Sequence, residues 1–156
     1  MAVAPKRILI IRLSAIGDVL RVLPAFQVIK KNFPGSYIAW AVEEGSKDIL
    51  EAHPDIDEVI VFPKKSIAGK LTSLRQAVPA LKEFFSFIGE VRNKRFDMVI
   101  DFHGLFKSGI ISLLSGAPER IGFSMAFSRE GNFLFTTPGF LLIKKRVSRF
   151  NRILFW

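Results

Sequence analysis

An open, parallel α/β sheet covered by helices on both faces, a Rossmann-like domain, is the fold this sequence predicts. Short continuous runs of β-forming apolar residues recur along it, as strands buried on both faces require. Segments with apolar residues three and four apart lie between them, the pattern of helices laid on a core. Alternation of this kind argues for parallel strands joined by helical crossovers. The 156 residues suit one domain, and 49% apolar content with 16 phenylalanines supplies its core.

Lys6 to Leu13 reads as the first buried strand. A helix is expected from about Asp18 to Asn32, ended by Pro34-Gly35, with Pro24 implying a kink or a later start. Tyr37 to Val42 is the second strand, Glu43-Glu44-Gly45 a turn, and Lys47 to Ala52 a short helix broken by His53-Pro54-Asp55. Val59 to Phe62 is the third strand. A basic loop follows, and then a helical pattern through Leu71, Leu74, Val78, Leu81, Phe84, Phe85 and Ile88, which Pro79 is expected to divide. Asp97 to Phe102 is the fourth strand, Leu105 to Leu114 a helix closed by Ser115-Gly116-Ala117-Pro118, and Arg120 to Phe123 a fifth strand. Residues 124–143 read as a loop region, and 144–156 as the start of a basic amphipathic helix.

The formal net charge is +9, and it clusters. Lys64, Lys65, Lys70, Arg75 and Lys82 occupy 63–82 with no acid among them, and Lys144, Lys145, Arg146, Arg149 and Arg152 do the same in 144–152. Such patches suit an anionic partner or a solvated basic face. There is no cysteine, which excludes disulfides and thiolate metal sites; the two histidines, His53 and His103, form no recognisable metal motif. The longest mainly apolar stretch, Phe133 to Ile143, is interrupted by Thr136-Thr137-Pro138-Gly139, and the apolar run after Lys6-Arg7 ends at Arg12. Neither is long enough for a membrane span or a signal peptide, so the chain is expected to be cytosolic and to touch a membrane surface.

The densest chemical signal follows the first strand, in Arg12-Leu13-Ser14-Ala15-Ile16-Gly17-Asp18. Open α/β sheets bind ligands at the carboxyl ends of their strands, where this loop falls. Two readings of Asp18 stand: a general base taking the proton of an attacking hydroxyl, or a helix N-cap. Gly17 allows a tight turn and close backbone approach to a ligand. The loop is neither G-x-G-x-x-G nor a Walker A sequence, so a dinucleotide or ATP fingerprint is absent. Asp101-Phe102-His103-Gly104 ends the fourth strand on the same edge. There His103 is either a ligand contact or a structural hydrogen-bonding residue, and Lys107 and Ser108 open a helix whose first amides can receive an anion.

Four ordered segments together resemble the lipopolysaccharide heptosyltransferases of glycosyltransferase family 9. They are R-L-S-A-I-G-D-V-L-R-V-L-P-A (12–25), A-V-E-E-G (41–45), F-D-M-V-I-D-F-H-G-L-F-K-S (96–108) and V-S-R-F-N-R (147–152). The resemblance implies the N-terminal, acceptor-binding domain of a two-domain GT-B enzyme. Heptose would pass with inversion from ADP-heptose to the Kdo or heptose of the lipopolysaccharide inner core, without metal or other cofactor. Asp18 would be the base. Arg12, Ser14, Gly17, Lys64, Lys65, His103 and Arg129 would bind the acceptor, although the family often carries glutamine where His103 stands. Residues 1–143 would form the acceptor-binding domain, and 144–156 would begin a helix leading to a donor domain that the 156 residues do not contain. The donor is expected to bind mainly to that other domain, leaving this chain inactive alone. The expected partner is Kdo-lipid A at the inner face of the inner membrane, and not nucleic acid. A non-catalytic module that binds anionic glycolipid is the alternative.

Overall fold

A computed structural model describes residues 5–64, 74–123, 130–137 and 141–142. The strands are β1 (Arg7–Ile11), β2 (Tyr37–Glu43), β3 (Glu58–Phe62), β4 (Met98–Asp101), β5 (Glu119–Phe123) and the two-residue β6 (Leu141–Leu142). The helices are α1 (Ile16–Asn32), α2 (Lys47–Glu51), α3 (Leu74–Asn93) and α4 (Phe106–Leu114). The strands run in the order β3-β2-β1-β4-β5-β6, and every pairing is parallel. β6 lies within 124–143, which the sequence reads as loop.

Side-chain parity along β1 builds two cores. Ile8 and Ile10 face Val19, Phe26 and Ile29 of α1 and Leu50 of α2. Leu9 and Ile11 face Phe87, Ile88 and Val91 of α3 and Ile111 of α4. All four β1 side chains are fully buried, which is why the run is continuously apolar rather than alternating.

Two prolines lie inside continuous helices, so Pro24 does not delay the start of the first and Pro79 does not divide the second. α1 runs through Pro24 from Ile16, and α3 runs undivided through Pro79. A proline ring removes one backbone donor. The buried residues on either side of Pro24, Val19 before it and Phe26 and Ile29 after it, pin both halves of α1 to the sheet. The cap of α1 is Ala15, so Asp18 stands in the first turn rather than at the N-cap.

With β1 at the centre and its crossovers leaving to opposite sides, the strand order reverses between β1 and β4. That is the topological switch point, and its carboxyl edge is where a ligand crevice belongs. No helix among the described residues is long and apolar enough to cross a membrane. The segment 144–156 lies outside the described residues.

Candidate functional site at the switch point

The backbone ladder continues past the strand ends on this edge. Arg12 N–H donates to the Ala41 carbonyl at 3.2 Å, Glu43 N–H to Leu13 at 2.7 Å, and Phe102 N–H to Ile11 at 3.0 Å. The residues that follow β1, β2 and β4 are therefore held by the sheet. Between them opens a cleft of about 480 Å³ lined by Arg12, Ser14, Ala15, Asp18, Phe102, His103, Gly104, Leu105 and Phe123.

Arg12 spans the switch point. One guanidinium nitrogen donates to the Phe102 carbonyl at 2.8 Å, at the end of β4, and the other pairs with the Asp18 carboxylate. Arg21, one turn along α1, reaches the second oxygen of Asp18 at 3.1 Å. The charge of Arg12 is the main reason the Asp18 carboxyl lies below its ordinary 3.8, outweighing what desolvation it has. Asp18 is thus ionised at neutral pH, 39% exposed, and directed to a cleft. The N-cap of α1 is Ala15, so the N-cap reading of this residue does not hold.

Asp101, the other acid of the motif pair, is a structural group. It is 2% exposed. One oxygen accepts the His103 and Gly104 amides at 2.8 and 3.1 Å, and the other accepts Nδ2 of Asn132 at 2.8 Å. Burial pushes its carboxyl up, against the hydrogen bonds that favour the charged form. These bonds fix the turn 102–104, in which Gly104 has φ +71° and would place a Cβ 2.7 Å from the Phe123 ring.

That turn aims His103 into the cleft. Both ring nitrogens are shielded from solvent and have no hydrogen-bond partner among the described residues. Burial, then the charges of Lys107 and Arg12, hold the imidazole down to about 4 from 6.5, so it is neutral at physiological pH. A neutral ring carries one donor and one acceptor.

A second group flanks the cleft and was not picked out from the sequence. Glu43, 8% exposed at the end of β2, takes Lys64 Nζ on one oxygen at 2.7 Å and Lys107 Nζ on the other at 2.9 Å. Burial pushes its carboxyl up, but the bonds from Lys64 and Lys107 prevail and leave it below its ordinary 4.5. Glu43-Glu44-Gly45 read as a turn, but Glu43 is the last residue of β2; the missed signal was an acid directly continuing a strand of buried residues.

Of the residues predicted for the site, Arg12, Ser14, Asp18 and His103 line one cleft. Gly17 is exposed in the first turn of α1 and is not among the residues lining it; no protein atom lies within 4 Å of the Cβ it lacks, so no packing contact or special turn within the chain requires glycine there. Lys64 lies beside a neighbouring hollow with Glu43, Gly45 and Phe62, and shares the Glu43 carboxylate with Lys107. Lys65 and Arg129 lie outside the described residues. No group of three or more His, Asp or Glu side chains able to hold a metal ion occurs among the described residues.

Residues 84–139 match the profile described as glycosyltransferase family 9 (heptosyltransferase). Over 132 residues the chain is 33% identical to the lipopolysaccharide core heptosyltransferase OpsX of Haemophilus influenzae, covering 85% of this chain and 34% of that protein. It is 34% identical to lipopolysaccharide heptosyltransferase 1 of Salmonella typhimurium, covering 80% of this chain and 38% of that one. Among solved structures, the E. coli heptosyltransferase WaaC with ADP-2-deoxy-2-fluoro heptose superposes with a TM-score of 0.75 at 30% identity. That match covers 90% of this chain and 44% of WaaC. The chain spans about a third of the length of the curated relatives named here.

Proposed function

The chain belongs to glycosyltransferase family 9, the heptosyltransferase family, and from that premise we propose that it is the acceptor-binding half of an enzyme that transfers heptose from ADP-heptose to the anionic inner core of lipopolysaccharide. The observation that carries this reading is Asp18: an ionised carboxylate on the switch-point cleft, held among the described residues by the guanidinium groups of Arg12 and Arg21.

In this mechanism the acceptor hydroxyl oxygen attacks the anomeric carbon of the heptose from the face opposite its diphosphate. The new C–O bond forms as the bond to the ADP oxygen breaks, so the configuration inverts. Asp18 takes the hydroxyl proton. Arg12 keeps the carboxylate aimed at the cleft, and neutral His103 exchanges hydrogen bonds with the acceptor. Lys64 and Lys107 add positive charge beside it, suited to the carboxylate or phosphate of an acidic sugar. The leaving diphosphate is stabilised by a donor domain that completes a GT-B enzyme, and without that domain transfer is expected to be negligible. Residues 1–143 form the acceptor half in this reading, working at the inner face of the inner membrane. Lys65 and Arg129 join the acceptor contacts by resemblance.

The depressed proton affinity of Asp18 favours a second reading in one respect: the same cleft can hold an anionic glycolipid without chemistry. A transfer assay with ADP-heptose and Kdo-lipid A separates the two. This chain is run alone and fused to a family donor domain, each with Asp18 intact and as Asp18→Asn. Activity confined to the intact fusion is expected. An inactive but folded fusion that still binds Kdo-lipid A leaves the binding module.

A further inference from the structure

α3 is apolar on two sides. Its inner side buries Ala80, Phe87, Ile88 and Val91. Its outer side presents Val78, Leu81 and Phe85, which are 70, 54 and 60% exposed. Spaced three and four apart, they form one stripe about 10 Å long at 1.5 Å per residue. A helix on the outside of a sheet needs one apolar stripe, and the second has no use in the core.

The position of the stripe is informative. α3 follows β3 and leads back to β4, so its first turns stand at the carboxyl edge of the sheet, where the cleft opens. Other exposed apolar side chains share that edge: Ile16 and Leu20 at the start of α1 and Phe106 at the start of α4. Its electrostatic setting is equally one-sided. The twenty residues 63–82, which lead into the stripe and carry its first half, contain five Lys or Arg and no acid. On α3, Lys82 falls roughly 40° from Val78 around the helix, whereas Glu83 and Glu90 fall roughly 120–140° away, on the flank. Apolar side chains bordered by cations fit the boundary between anionic headgroups and acyl chains.

We propose that the outward face of α3 docks on an anionic lipid bilayer, seating Val78, Leu81 and Phe85 below the headgroups with Lys82 on lipid phosphate. This rests on the reading above for its purpose: a docked α3 brings the cleft to a glycolipid whose sugar stands at the membrane surface. Positive charge selects the bilayer over a second copy of this chain, which carries the same sign.

The absence of native cysteine makes the test direct. Single-cysteine variants Leu81→Cys and Phe85→Cys carry an environment-sensitive fluorophore. Leu113→Cys, 45% exposed near the end of α4 on the opposite edge, is the control. The 156-residue chain is mixed with phosphatidylcholine vesicles with and without phosphatidylglycerol, and with brominated lipid as quencher. Blue shift and quenching at 81 and 85, not at 113, and only with phosphatidylglycerol, are expected. Binding should weaken about tenfold in Val78→Ser/Phe85→Ser and fall as salt rises. Three results overturn the proposal: no binding to anionic vesicles, binding with both α3 probes still in water, or a doubled mass with the probes shielded before lipid is added. The vesicles contain neither acceptor sugar nor donor, so docking is read apart from transfer. A chain that docks but whose fusion transfers no heptose retains this proposal and removes the transferase reading; transfer without docking does the reverse.

Discussion

Both edges of the sheet carry carboxylates, but they are partnered differently. At the amino edge, Asp97 stands just before β4 and accepts the Lys6 and Arg7 amides of the neighbouring strand, each at 2.9 Å. Asp57 stands just before β3 and accepts the Ile38 amide of β2 at 2.7 Å. These acids tie strand starts together, although Asp57 also takes Lys30 Nζ at 3.2 Å and Glu58, the first residue of β3, is held by the side chains of Lys94 and Tyr37. At the carboxyl edge, Asp18 and Glu43 are held by arginine and lysine side chains. A backbone amide at a strand start is fixed in place and loses stability when its acceptor is removed, whereas a flexible cation can turn to an incoming anion. Asp101 refines the comparison: it lies at the carboxyl edge but accepts amides and a buried amide side chain, so it belongs with the structural set.

The sharpest way to break this division is to exchange the acids for neutral groups and follow activity and stability separately. Asp18→Asn in a fusion with a donor domain should lower heptose transfer by about 10²- to 10⁴-fold while leaving the urea midpoint nearly unchanged. Equal loss of both would move Asp18 to the structural set. Asp101→Ala should do the opposite. It strands the buried amides of His103 and Gly104 and the side chain of Asn132, at a cost of about 3 kcal/mol in denaturant unfolding. Full stability in that variant would mean that the turn 102–104 is fixed by something else.

Asp97→Ala should cost less, about 1–2 kcal/mol, because its amides lie near solvent and water can replace the carboxylate. Unfolding curves with an unaltered slope would check it. The mildest test is a pH series. His103 is neutral in the fold down to about 4 but titrates near 6.5 when unfolded. Between those values the unfolded chain binds the extra proton, so stability should rise with pH across that window and level off above it. His103→Gln should flatten that part of the curve, and NMR of the ring should show no titration between pH 5 and 8. A ring that titrates near 6.5 would mean that it is open to water.

The fold was largely legible in the sequence because the first five strands are either continuous apolar runs or end in turn residues, and the helices between them keep their period. Where the reading failed, tertiary packing overrode a local rule. Pro24 and Pro79 each forfeit one backbone bond, yet α1 and α3 run through them. The first helix begins before Asp18 because Ala15 takes the cap position. The lining of the cleft was legible at Arg12, Ser14, Asp18 and His103, which follow strand ends. Glu43 was hidden because its burial depends on β2 running on beside Leu13, and the structural role of Asp101 was hidden because Asn132 arrives from thirty-one residues away. Contacts of that range leave no trace in local pattern.

The parity of β1 limits how this chain can change in length. Ile8 and Ile10 serve one core, Leu9 and Ile11 the other. Inserting or deleting one residue within 7–11 would exchange the two sets, turn every later side chain of the strand to the opposite layer, and displace Arg12 from the end of β4. The connections between elements have no such parity. Among relatives that share this cleft, gaps in an alignment should therefore fall outside β1 and its partners β2 and β4, and a duplication or loss of a single codon in β1 should be among the least tolerated lesions in the gene.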